Sequence, residues 1–153
     1  MAEAAFADRL RLRRTAAGLT QRELAERAGV KQPLIAAIER GTRKPTEAVR
    51  HALEVALPVR PSQLLRVARE DVLWTVGQAG GRDVRVFGSV AAGSDQADSD
   101  LDLLVTFGPG ADIVTLMTLQ EELSALLTVP VDVVSAGSTG PVVERARAEA
   151  RPL

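Results

Sequence analysis

The spacing of apolar residues changes character near residue 60 of this 153-residue chain. Before that point, apolar residues recur every three or four positions, which predicts short helices. After residue 80, the alternating run 83–87 and the apolar runs 101–107 and 130–135 predict three strands. Further helices are predicted at 62–78, 113–127 and 142–150. We therefore expect an all-α region followed by an α/β region with a small mixed sheet.

The helices of the first region are separated by glycines and short turns. Thr20 and Glu23 have the spacing of a capping box, which marks the start of the second helix. That helix stops at Gly29, and the third begins near Gln32 and Pro33. A joint of so few residues, with glycine to release the backbone, fits a helix-turn-helix.

Two prolines, Pro58 and Pro61, interrupt the helical pattern and mark a domain boundary. We expect one domain at 1–58 and a second at 62–153. Charge follows the same division, with twelve Lys and Arg against seven Asp and Glu in residues 1–60, and seven against thirteen afterwards. The basic region could meet a polyanion, whereas the acidic region would need a cation before it could hold a phosphate.

Composition excludes several classes of site. The chain has no cysteine and one histidine, His51, so disulfide frameworks, thiolate and multi-histidine metal sites and most histidine-assisted triads are excluded. No apolar run reaches membrane length and no signal-peptide pattern is present, so we expect a cytoplasmic protein with no membrane partner. Aromatic residues are scarce, and Trp74 is expected to pack in a core or domain interface.

The first region resembles the Cro/CI (XRE) repressor family over about residues 6–57. The resemblance rests on the segment LTQRELAERAGV at 19–30 and on the later pattern from Ile35 to Pro45. It implies that 32–40 is the recognition helix. Independently of the resemblance, a homodimer is the expected form of a DNA-binding protein of this kind. The alternative is a helical adaptor that has lost DNA binding.

The same resemblance implies roles for four residues. Gln32 would reach base edges, where a glutamine can contact adenine through two hydrogen bonds. Gln21, Arg43 and Lys44 would contact phosphate. The family often has polar readers at the positions that are Pro33, Ala36 and Ala37 here, which leaves few base contacts. We therefore expect either little sequence specificity or specificity from apolar contact with thymine methyl groups and from DNA shape.

Three carboxylates and a Gly-Ser pair carry the candidate chemistry of the second region. Asp100 and Asp102 are two residues apart at the head of a strand, which places both on one face. Asp132 lies inside a later apolar strand, where an acid is costly unless it is paired, and a divalent cation is a natural partner. If the strands are neighbours, the acids converge. Gly88 and Ser89 lie on a strand-to-helix turn, where amides and a hydroxyl could hold phosphate oxygens.

Taken singly, these features are ordinary turns and solvated acids. Together, FGS at 87–89, SDLDL at 99–103 and VDV at 131–133 resemble the polymerase-β-type nucleotidyltransferase superfamily, and within it the minimal nucleotidyltransferases. Such proteins often have Ala-Arg-Gly after the Gly-Ser pair, where this chain has Ala91-Ala92-Gly93. Whether the missing arginine reduces activity is left open by the sequence.

The resemblance implies a mechanism. Two Mg²⁺ ions would be held by Asp100 and Asp102, with Asp132 completing the ion nearer the nucleophile, while Gly88 and Ser89 position the β- and γ-phosphates of ATP. A hydroxyl would then attack the α-phosphate and receive AMP, and pyrophosphate would leave.

The same resemblance implies a biological setting. In MNT–HEPN toxin–antitoxin systems the antitoxin modifies a tyrosine of a HEPN ribonuclease, and fusion to a repressor-like domain suits control of its own operon by operator DNA. This chain has no tyrosine, so such an acceptor would be a separate chain. The alternatives are a non-catalytic DNA-binding antitoxin that acts by contact and a small-molecule nucleotidyltransferase.

Overall fold

The computed structural model describes residues 2–153, with side chains from residue 5 onward. The chain divides into two compact units, residues 1–59 and 60–153. Over its described residues, 2–59, the first unit contains four helices: α1 Ala2–Ala16, α2 Gln21–Ala28, α3 Gln32–Glu39 and α4 Glu47–Ala56. The predicted all-α region is confirmed.

Local signals in the sequence explain the helix-turn-helix of the first unit. The capping box is present, since Thr20 accepts a hydrogen bond from the Glu23 amide and the Glu23 carboxylate accepts one from the Thr20 amide. Gly29 ends α2 in the left-handed conformation that glycine adopts without strain. The apolar residues of α2, α3 and α4 meet in an aliphatic core that includes Leu24, Ile35 and Leu53.

The second unit is an α/β layer built on a four-stranded mixed sheet. Its elements are α5 Pro61–Val67, α6 Arg69–Gln78, β1 Gly81–Phe87, α7 Gly88–Ala92, β2 Leu101–Phe107, α8 Ile113–Leu127, β3 Val131–Ser135, α9 Pro141–Glu149 and β4 Arg151–Pro152. The strand order is β3-β2-β1-β4. β2 and β3 are parallel, whereas β1 is antiparallel to both β2 and β4.

Strand alternation gives the sheet two different faces. On one face the valines and leucines of β2 and β3 are buried, with α8 against β3 and α6 against β1. On the opposite face, Phe87, Leu104 and Ala146 form a cluster that fixes α9 to the sheet. On this second face Phe87 of β1 pairs with Asp102 of β2, and Asp102 pairs in turn with Asp132 of β3.

The edge strand β3 is protected by α8. The Val131 amide donates to Ser124 Oγ at 3.0 Å, and the Val133 amide donates to Gln120 Oε1 at the same distance. Side chains thus pair backbone donors that an edge strand would otherwise leave open to another chain. The strand that carries Asp132 is thereby fixed in position.

The structure differs from the sequence expectations at three points. The single helix expected at 62–78 is divided at Ala68 into α5 and α6, although no proline or glycine signals a break there. Trp74 is 69% exposed, because α6 buries Val72 and Val76 on its other side. The short strand β4 was not expected. Within the part of the chain that the structure describes, no helix is long and apolar enough to cross a membrane.

Candidate active site and nucleic-acid interface

The fold brings the acids of the second unit to one end of one sheet face. β2 and β3 are neighbours, as convergence requires, and Asp102 lies directly opposite Asp132 in their parallel register. Asp100 immediately precedes β2. Asp100 and Asp132 are exposed, while Asp102 is half-buried between them and Gly88.

The negative charge of Asp102 is not fully balanced by positive charge nearby. Burial raises the pKa of Asp102, and the negative charges of Asp132 and Asp100 raise it further, whereas Arg145 lowers it. A half-buried carboxylate whose charge is disfavoured by its neighbours is a group that a bound cation would stabilise.

Gly88 closes the other side of Asp102. A Cβ atom added at Gly88 would lie 2.3 Å from Asp102 Oδ2, a distance that real side chains do not show. Gly88 also has φ +68, in the left-handed region that favours glycine. Only glycine therefore lets the turn after β1 lie against this carboxylate. Ser89 follows it, half-buried, in the first turn of α7.

In the first unit, the two glutamines proposed for DNA contact are joined to each other. Gln32 Nε2 donates to Gln21 Oε1 at 3.0 Å, and Gln21 Nε2 donates to Glu39 Oε2 at 2.9 Å. Gln32 is exposed at the first position of α3, and Gln21 is half-buried at the first position of α2. The side-chain amide of Gln21 thus has protein partners, which the sequence did not suggest. Its contact with phosphate stays a prediction.

Arg43 and Lys44 are exposed in the loop between α3 and α4. Arg43 shares a concave patch with Lys31, Pro33 and Leu34 at the start of α3. This patch places a guanidinium beside the N-terminal end of the predicted recognition helix. Contacts of Arg43 and Lys44 with phosphate are predictions that the location allows.

Comparison with known proteins agrees with both halves of this description. A helix-turn-helix family model matches residues 10–64, and a polymerase-β nucleotidyltransferase family model matches residues 82–149. A solved structure of a candidate minimal nucleotidyltransferase is 44% identical, with 60% of this chain and 95% of that chain covered and a TM-score of 0.54. This chain belongs to the minimal nucleotidyltransferase family. It is also similar to the helix-turn-helix family over residues 10–64.

Two further relatives of this minimal nucleotidyltransferase are informative. The protein adenylyltransferase MntA of Thermococcus cleftensis is 41% identical over 59 residues, which are 39% of this chain and 60% of that protein. The chain spans about six tenths of the length of the curated relatives that it matches. A structure of a toxin–antitoxin with AMP-PNP has a TM-score of 0.50 at 20% identity, with 54% of this chain and 69% of that chain covered, and shows the shared fold.

The donor set of this minimal nucleotidyltransferase fits Mg²⁺. Among residues 2–153, no group of three or more histidine and acidic side chains stands ready to enclose a metal ion. Mg²⁺ does not require such a cage, because it keeps several waters and binds through one or two carboxylates together with substrate phosphates. Asp102 and Asp132 supply hard oxygen ligands, and a cation would relieve their repulsion.

Arg145 is a residue that sequence reasoning missed. It lies on α9, beside the buried Ala146 that packs on the sheet face of the acids, and its charge lowers the pKa of Asp102. Its guanidinium also pairs with Glu149 at 3.0 Å. Arg145 therefore supplies a positive charge near the acids.

Proposed function

We propose that this minimal nucleotidyltransferase is an antitoxin that transfers AMP from ATP to a hydroxyl group of a partner toxin. The observation that carries the proposal is the pairing of Asp102 with Asp132 on adjacent strands, with Gly88 held against Asp102. Carboxylates can hold the metal ions that assist phosphoryl transfer, and a glycine turn lets backbone amides approach phosphate oxygens. The site is open enough for a protein hydroxyl, since Asp100 and Asp132 are exposed.

The residues have separate roles in this proposal. Asp100, Asp102 and Asp132 would hold two Mg²⁺ ions, which would supply charge neutralisation for the triphosphate and activation of the attacking hydroxyl, with pyrophosphate as the leaving group. Gly88 and Ser89 hold the β- and γ-phosphates through backbone amides and the serine hydroxyl. Arg145 attracts the nucleotide, whose phosphates carry the charge that this acidic unit otherwise repels.

The acceptor is proposed to be a tyrosine of a HEPN ribonuclease. The chain contains no tyrosine, so such an acceptor lies on another protein. The similarity to a protein adenylyltransferase supports a protein acceptor over a small molecule. Operation in the cytoplasm, where the toxin would act, is part of the same proposal.

The first unit is proposed to bind the operator of its own operon as a dimer. Gln32 would reach base edges from the start of α3, with Gln21, Arg43 and Lys44 on phosphates. The net positive charge of residues 1–60 would supply the salt-dependent part of the affinity. Arg43→Ala should lower affinity and reduce the slope of affinity against salt by about one.

The activity is tested with ATP labelled at the α-phosphate, Mg²⁺ and the product of the neighbouring gene. We expect label on the partner with the wild type but not with Asp102→Asn. Asp98→Asn is the matched control, because Asp98 is an exposed carboxylate in the loop before β2. The proposal that these acids catalyse transfer is wrong if Asp102→Asn labels the partner as well as Asp98→Asn does, or if the wild type does not label it. Label on a small molecule would favour the small-molecule enzyme, and toxin silencing without label would favour the contact antitoxin.

A further inference from the structure

We propose that Glu39 is a positioning residue that makes the first unit select adenine over guanine at the base contacted by Gln32. The inference deepens the DNA binding proposed above and rests on it. Glu39 does not contact DNA in this account. Glu39 acts by fixing the orientation of the side-chain amides of Gln21 and Gln32, so that the NH₂ group and the oxygen of each amide face defined neighbours.

A chain of four side chains carries the inference. Arg14 donates to Glu39 Oε1 at 2.6 Å and to Glu39 Oε2 at 3.0 Å. Glu39 Oε2 also accepts from Gln21 Nε2 at 2.9 Å, and Gln21 Oε1 accepts from Gln32 Nε2 at 3.0 Å. These hydrogen bonds thus connect Glu39, whose side chain is 2% exposed, with Gln32 on the surface of the predicted recognition helix.

The inner end of this chain has fixed polarity. Burial alone would raise the pKa of Glu39, but hydrogen bonds from Arg14 and Gln21 outweigh it and hold the pKa below its ordinary value. Glu39 is therefore a carboxylate at neutral pH and can only accept hydrogen bonds. Arg11 Nη2 also donates to the Glu39 backbone oxygen at 2.6 Å, which fixes the end of α3 in place.

The polarity then passes outward along the glutamines. Because Glu39 can only accept, Gln21 must turn its NH₂ group inward and its oxygen towards Gln32. Gln32 must in turn direct its NH₂ group at that oxygen. One Nε2 hydrogen of Gln32 is thereby used, and the other hydrogen and Oε1 serve the base edge.

One donor and one acceptor match adenine. Adenine presents the N7 acceptor and the N6 donor in the major groove, whereas guanine presents two acceptors, N7 and O6. To satisfy guanine, Gln32 would need both Nε2 hydrogens and would lose its bond to Gln21. In this way the buried carboxylate of Glu39, separated from the DNA by the side chains of Gln21 and Gln32, would set the base preference.

The test compares base preference in the full chain, measured by selection from a library of random duplexes and then by titration of matched A·T and G·C sites. Gln21→Met keeps the length of the side chain and leaves the Arg14–Glu39 pair intact, so the fold is retained. Glu39→Gln removes the fixed polarity, because an amide can either donate or accept. We expect each variant to lower the adenine-over-guanine affinity ratio by about tenfold, which is near the lower end of the discrimination that a bidentate contact to one base provides.

Two reference variants separate positioning from general weakening. Gln32→Ala should remove the preference completely, and Arg43→Ala should lower affinity for both sites equally while leaving the ratio unchanged. The relay is overturned if folded Gln21→Met and Glu39→Gln keep the wild-type ratio while Gln32→Ala loses it. If the wild type selects no duplex at all, the proposed DNA binding itself fails.

A second measurement does not depend on DNA. The side-chain amide resonances of Gln32 in the full chain report the hydrogen bond to Gln21. We expect Gln21→Met to shift these resonances and to speed exchange of the Nε2 hydrogens with water. Unchanged Gln32 amide resonances would contradict the relay.

Discussion

Glu39 in the first unit and Asp102 in the second are both withdrawn from water, and they differ in how their charge is compensated. Glu39 is 3% exposed and accepts hydrogen bonds from Arg14 and Gln21, which hold its pKa low. Asp102 faces two other carboxylates, and its pKa is raised. The first arrangement stabilises a fold, and the second awaits a ligand that brings positive charge. The contrast can be tested by substitution at both sites.

The largest expected effect is on catalysis. Asp102→Asn should lower the rate of nucleotidyl transfer by at least about 1,000-fold, because it removes a proposed metal ligand. Loss of a residue that only hydrogen-bonds to a metal ligand costs about 10–100-fold. The same variant should raise the melting temperature slightly at neutral pH, because it removes a charge that its neighbours disfavour. Transfer assays and thermal melts of the full chain check both halves. A variant that is active, or clearly less stable, would contradict the contrast.

The opposite result is expected at Glu39. Glu39→Ala leaves the charge of Arg14 without its partner and should lower the free energy of unfolding by about 3–5 kcal/mol. The matched control is Glu26→Ala at the exposed Arg22–Glu26 pair, where the cost should be about 0.5 kcal/mol or less. Urea titrations followed by circular dichroism measure both. Equal costs at the two positions would show that burial does not distinguish the pairs.

The third expected effect concerns the turn beside Asp102. Gly88→Ala should displace the carboxylate and lower transfer by about 100-fold, as a misplacement near 1 Å can. Gly93→Ala is the control, because Gly93 has φ +71 but nothing within 4 Å of an added Cβ. Both variants bear similar backbone strain. Comparable activity losses in the two would refute the contact with Asp102.

A pH titration sharpens the contrast at Glu39. The folded pKa lies below the ordinary value of 4.5, so the stabilisation is present above that pH and is lost as the pH falls through the folded pKa. We therefore expect the stability difference between wild type and Glu39→Gln to shrink in acid. A difference in unfolding free energy that is constant from pH 7 to pH 3 would contradict the low pKa.

The smallest expected effect is at Arg145. Arg145→Ala should raise the KM for ATP by about threefold to tenfold, because an exposed charge is screened by solvent. Glu149→Ala, which removes the partner of Arg145, should lower KM or leave it unchanged. Arg66→Ala removes an exposed arginine elsewhere in the second unit and controls for net charge. If Arg66→Ala raised the KM for ATP as much as Arg145→Ala does, net charge would explain both effects, and a local role of Arg145 near the acids would be refuted.

The sequence predicted features whose determinants are local. The capping box at Thr20, the glycine stop at Gly29 and the strand at 101–107 are each specified by neighbouring residues, and all are present. The acids could be found because Asp100 and Asp102 have strand spacing. Their meeting with Asp132 was conditional, since strand order depends on contacts between distant segments.

What the sequence missed depends on contacts between distant residues. Nothing near Gln21 indicates that its amide bonds Glu39 and Gln32 on another helix. Arg145 lies far along the chain from Asp102, and only the packing of α9 on the sheet brings its charge near the acids. The exposure of Trp74 likewise follows from which side of α6 the sheet covers.

The central claim is that the acids around Asp102 bind a metal–nucleotide complex, and thermal melting tests it without knowledge of any partner. The full chain is melted with and without Mg²⁺ and a non-hydrolysable ATP analogue, as wild type, Asp102→Asn and the Asp98→Asn control. We expect the melting temperatures of the wild type and of Asp98→Asn to rise only when both Mg²⁺ and the analogue are present, and that of Asp102→Asn not to rise. An equal rise in all three proteins, or none in the wild type, would contradict it.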